Sequence, residues 1–188
     1  MGATANASVA GHAGSPAFAS ATALVGFGIR QNASAIFAST GTASATIVNN
    51  GTINVGASAN AFAGREGNAF AGADVGVGIG QLAQAGNLAT ASITNAGNIN
   101  VLAHASASAD EDATAIAGVG RTTTSGPLGT VVFSGGAISQ NATAFKSGGN
   151  ASATLNNSGT IDVAAIANAV GGEDVFAAAF VADGVNQG

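Results

Sequence analysis

Apolar residues recur at every second position over long stretches of this chain, as in Ala17-Phe18-Ala19-Ser20-Ala21-Thr22-Ala23 and from Ala57 through Ala59, Ala61 and Ala63. A period of two belongs to a strand with one buried face, not to the 3.6-residue period of a helix. Ala itself favours helices, but the Gly, Thr, Ser, Asn and Val between the alanines do not. The pattern therefore predicts strands almost throughout.

The strands fall into repeats. One motif reads Ala45-Thr46-Ile47-Val48-Asn49-Asn50-Gly51-Thr52-Ile53-Asn54-Val55, and it returns at Ala91–Val101 and Ala153–Val163. A second alternates with it: Gly28-Ile29-Arg30-Gln31, Gly78-Ile79-Gly80-Gln81, Ala137-Ile138-Ser139-Gln140 and Gly184-Val185-Asn186-Gln187. Shifting the first motif by 24 residues lays Ile53 and Val55 onto Val77 and Ile79, so each 46-residue unit reads as two similar coils. The expected fold is all-β: a β-solenoid, or β-helix, with coils of roughly 23 residues and a narrow, Ala-rich core. It forms one domain over residues 1–188. Ile99 and Ile161 stand farther apart than Ile53 and Ile99, which places a loop insertion at 121–136, around Pro127.

Composition sharpens this picture. Of 188 residues, 46 are Ala and 29 Gly, so large side chains are too scarce for a thick core. Only four residues are basic and the net charge is −5, too little positive charge to form the stripe that nucleic acid or an anionic membrane surface requires. The absence of Cys removes disulfides and thiolate metal sites. Membrane insertion is not expected, because the longest apolar stretch, Val175 to Ala182, is too short to span a bilayer. The N-terminus has no basic start and apolar run, so any export address is expected to lie outside these residues.

The candidate residues are mostly architectural. Asn49, Asn95 and Asn157 share one phase, as do Gly51, Gly97 and Gly159. Gly supplies the positive φ of a sharp corner, and Asn can bond neighbouring main chain or stack into an amide ladder. Gln31, Gln81, Gln140 and Gln187 fall in phase with inward Ala, which places them in a buried amide ladder. The competing placement is at a bend, facing water. Charges gather at Arg65-Glu66, Asp110-Glu111-Asp112 and Glu173-Asp174, as solvated corners do. A calcium ion on Asp110, Asp112 and a neighbouring carboxylate is the one cofactor this leaves open. His12 and His104 each stand alone between alanines, in surface positions. No nucleophile elbow, phosphate loop or His–carboxylate constellation is present, so no enzymatic activity is expected.

The segments Asn50-Gly51-Thr52-Ile53-Asn54-Val55 and Ser158-Gly159-Thr160-Ile161-Asp162-Val163 resemble the N-x-G-x-I repeats of bacterial surface β-solenoids, the filamentous haemagglutinin-like adhesins and autotransporter passenger domains. The resemblance implies an extracellular or cell-surface structural or adhesive protein with no receptor or glycan indicated. Uncapped strand edges at both ends imply association with the rest of a longer solenoid or head-to-tail stacking into a filament. Two alternatives stand beside this. An ice-binding solenoid would display outward Thr files such as Thr46 with Thr154 and Thr52 with Thr160, which Ser92 and Asn98 interrupt. A carbohydrate-binding adhesin would need exposed aromatic platforms, and the chain has neither Trp nor Tyr.

Overall fold

The computed structural model describes residues 1–11, 16–35, 40–120, 123–126, 129–132 and 136–187, with side chains left out for 123–126 and 129–132. It is all-β, 78% strand with no helix among the described residues, and its parallel sheets curl as a half-barrel. The strands are β1 (Gly2–Val9), β2 (Ala17–Ala35), β3 (Thr42–Asn49), β4 (Thr52–Ala63), β5 (Gly67–Ala85), β6 (Leu88–Asn95), β7 (Asn98–Ser108) and β8 (Ala113–Val119). They continue as β9 (Thr123–Gly126), β10 (Gly129–Val132), β11 (Ile138–Ala144), β12 (Asn150–Asn157), β13 (Thr160–Val170), β14 (Val175–Val181) and β15 (Val185–Gln187).

Three parallel sheets carry the architecture. Sheet I has the order β1-β4-β7-β13, and sheet III has β12-β6-β3. In sheet II the long β5 pairs with β2 on one side; on the other it pairs with β8 along its first half and β11 along its second. The outer strands there are β14 on β8 and β15 on β11. The short β9 and β10 form a separate antiparallel pair.

This arrangement corrects the expected solenoid of 23-residue coils. Ile53 pairs with Ile99 and Ile99 with Ile161, so strand partners lie a whole repeat apart, and the strands are shared among several sheets. The 24-residue likeness has another cause. Val55 of β4 and Ile79 of β5 belong to one apolar cluster but to facing sheets. Two walls lining the same core need the same alternation, and the half-repeat records that shared demand.

The core is thin because alanine fills it. Ala19, Ala21, Ala23, Ala69, Ala71 and Ala73 of sheet II meet Ala57, Ala59, Ala103 and Ala105 of sheet I. A smaller cluster joins the second half of β5, through Ala83 and Ala85, to Ala89 and Ala91 of β6. Larger residues, Val55, Ile79, Ile93, Ile99 and Val101, gather where the three sheets converge. In sheet II, Val75 pairs with Val119 while Ile79 pairs with Ile138; the insertion expected at 121–136 falls partly outside the described residues, which there comprise the β9–β10 pair and Gly136.

Candidate functional site

Two amide files are the most organised polar features. In sheet II, Gln81 Nε2 donates to Gln31 Oε1 at 2.8 Å, Gln140 Nε2 to Gln81 Oε1 at 2.8 Å, and Gln187 Nε2 to Gln140 Oε1 at 2.7 Å. Three of the four amides also reach into sheet III. Gln31 donates to the Thr46 carbonyl, Gln81 to the carbonyls of Ala45 and Ser92, and Gln140 to that of Thr154. Gln81 and Gln140 are 3% and 1% exposed, so their amides depend on these partners. The file thereby staples sheet II to sheet III.

The asparagine file sits where sheet III hands over to sheet I. Asn49 Nδ2 donates to Asn95 Oδ1 at 2.7 Å, and Asn95 Nδ2 to Asn157 Oδ1 at 2.6 Å. Asn95 is fully buried and also donates to the carbonyls of Gly97 and Thr160. Donation runs toward later residues here and toward earlier ones in the glutamine file.

The corner glycines act differently from the expectation. Among the described glycines, positive φ occurs at Gly120 (91°) and Gly148 (77°), not at Gly51, Gly97 or Gly159. Close approach explains two of the three. A Cβ on Gly97 would overlap the carbonyl of Gly51, and one on Gly159 the carbonyl of Gly97, whereas one on Gly51 would meet nothing. Gly78 answers a similar demand, because a Cβ there would lie 2.7 Å from the Val101 side chain across the core.

The charged corners hold no assembled cation site. Asp112 Oδ1 accepts the main-chain N–H of Asp174, and the N–H of Asp112 is itself bound by Asn68 Oδ1. Among the described residues, Asp110, Asp112 and their neighbours form no group of three or more metal-ligating side chains. His104 lies on the outer face of sheet I between Ser58 and Ile166, and His12 falls outside the described residues. A shallow depression beside the glutamine file is lined by Phe27, Arg30, Val77, Ser139 and Asn141, with the Arg30 guanidinium 4.9 Å from the centre of the Phe27 ring.

Asp74 escapes the pattern-based reading. It stands in β5 between Leu24 of β2 and Gly118 of β8, near the outer cluster of Phe70, Ile116 and Phe176. It is 7% exposed, and its Oδ1 has no hydrogen-bond partner among the described residues. Burial pushes the carboxyl up to about 7. Its only signal in the sequence is a lone carboxylate inside the apolar run Ala69–Val77. The surface asparagine pairs Asn6 with Asn60 and Asn54 with Asn100 were also missed, although shared phase marks them.

Among the described residues no helix is long and apolar enough to cross a membrane. No protein-family model, curated protein or solved structure matches this chain.

Proposed function

We propose that this chain is a non-enzymatic structural or adhesive element of a bacterial cell surface, working through its shape rather than through turnover. The observation that carries this reading is the pair of amide files, which run across successive strands of sheets II and III and tie the sheets together. Side-chain files of this kind rigidify a body along its strand-pairing direction. The buried amides of Asn49, Gln81, Asn95 and Gln140 all belong to these files. The test is surface labelling with antibody, combined with protease treatment of intact cells that make the full gene product. Label on intact cells is the expected result; protein confined to the cytoplasmic fraction overturns the reading.

A second reading rests on the outer face of sheet III. Ser44, Thr90 and Ser152 stand side by side, as do Thr46, Ser92 and Thr154, so two files of three hydroxyls face outward. Parallel-strand geometry spaces them about 4.8 Å across the strands and about 6.6 Å along them, a regular array suited to ordered water or ice. A thermal-hysteresis measurement decides it, and freezing without hysteresis at millimolar protein removes it.

A further inference from the structure

We infer that two copies of this chain join end to end through sheets I and II, β1 of one copy pairing with β13 of the other and β2 with β14 and β15. The inference rests on the architectural reading above and names its partner as a second copy.

The first ground is main-chain direction. Gly56 N donates to Met1 O and Gly64 N to Val9 O, so odd-numbered residues of β1 turn toward β4. The peptide groups of Thr4 and Asn6 then face away from the molecule. At the other end Ala109 N donates to Val170 O, so even-numbered residues of β13 turn toward β7, and the groups of Ala165, Ala167 and Ala169 face outward. Both edges present the evenly spaced donors and acceptors of a parallel ladder.

The second ground is register. Following the pairs across sheet I, Ala3, Ala57, Ala103 and Ala165 occupy one column, and Asn6, Asn60, Ser106 and Asn168 another. Placing β1 on β13 in that register sets Ala3, Ala5 and Ala7 against Ala165, Ala167 and Ala169. It also sets Asn6 against Asn168, as Asn60 Nδ2 now faces Asn6 Oδ1 at 3.0 Å. In sheet II the same step sets Ala21, Ala23 and Val25 of β2 against Ala177, Ala179 and Val181 of β14.

Amide polarity agrees. Each glutamine donates to the one before it, so Gln187 ends the file with Oε1 outward while Gln31 begins it with a spare N–H. Gln31 of the next copy fits Gln187 with the polarity of every inner step. Both ends carry exposed apolar side chains, Phe18 and Leu24 on β2 and Val170, Val175, Phe180 and Val181 at the other, as do inner strands at Phe62, Leu88 and Leu102.

The test uses proline at an outward peptide group, where no bond within the chain is lost. Ala167→Pro blocks one end and Thr4→Pro the other, with circular dichroism and thermal melting confirming the fold of each. In sedimentation velocity, wild type forms concentration-dependent linear assemblies. Each variant alone associates at least about tenfold more weakly, the effect of one or two lost main-chain bonds. Mixed together they form a one-to-one dimer and nothing longer, because each retains the end the other lacks. Should proline disturb folding, Asn6→Asp with Asn168→Lys strengthens assembly at low salt and Asn6→Lys with Asn168→Lys weakens it. Monomeric wild type at high concentration, variants that assemble like wild type, or a mixture that stays monomeric overturns the inference. Surface labelling reports on the architectural reading separately, so the two failures remain distinguishable.

Discussion

At the scale of single residues, glycine and carboxylate positions make the sharpest tests. Gly97 and Gly51 occupy the same place in successive copies of one motif, yet only Gly97 has a carbonyl where its Cβ would go. Gly97→Ala is expected to cost about 1–3 kcal/mol, the range for forced overpacking, while Gly51→Ala stays within about 0.5 kcal/mol. Urea denaturation of both variants checks the contrast. Gln81→Leu removes a donor and an acceptor from its two neighbours in the file and should cost about 2–3 kcal/mol by the same assay. Asp74 gives a pH signature. Its carboxyl has an ordinary value of 3.8 and is raised to about 7 by burial. Between those values the folded chain keeps a proton that the unfolded chain releases, so Asp74 makes stability fall as pH rises through this window and level off above it. Asp74→Asn should flatten that fall, raising the melting temperature at pH 8 while changing it little at pH 4.

At the scale of elements, alternation of Ala with polar residues is a direct record of strand faces, which is why the strands were legible without any structure. The pairing partner was not. Alternation reports which face is buried but not which strand lies alongside, and β4 and β5 carry the same pattern because they line one core from opposite sides. The asparagine and glutamine positions were legible as phased residues, since only a repeated place in the fold keeps a polar side chain in step with alanine. The reason for the corner glycines was not legible, because a close approach of main chains and a positive φ select the same residue. Asp74 was hidden for a third reason: it occurs once, and periodicity has nothing to say about a single exception. The thin core makes its own prediction. Ala105 of β7 is fully buried between sheets I and II. Ala105→Leu must push those sheets apart and should destabilise by about 1–3 kcal/mol, whereas Ser106→Leu on the outer face should stay near neutral in the same denaturation series.

At the scale of the whole molecule, stability must grade along the strand-pairing direction. β5 has pairing neighbours on both sides and an inward row closed off from water, and β7 likewise lies between β4 and β13. By contrast β1, β14 and β15 each pair on one side only, and half of their main-chain groups have no partner strand. Opening an end strand breaks one ladder and exposes mostly methyl groups, but opening β5 breaks ladders to three strands and the glutamine staple. Local opening energies should therefore span a wide range within one body. Amide hydrogen exchange followed by mass spectrometry is expected to show slowest exchange in β5 and β7, and fastest in β1, β14 and β15. Joining of copies at the ends would slow exchange in those outer strands as protein concentration rises, leaving β5 unchanged. Uniform exchange from end to end would mean that the sheets open all at once, and the graded picture would then be wrong.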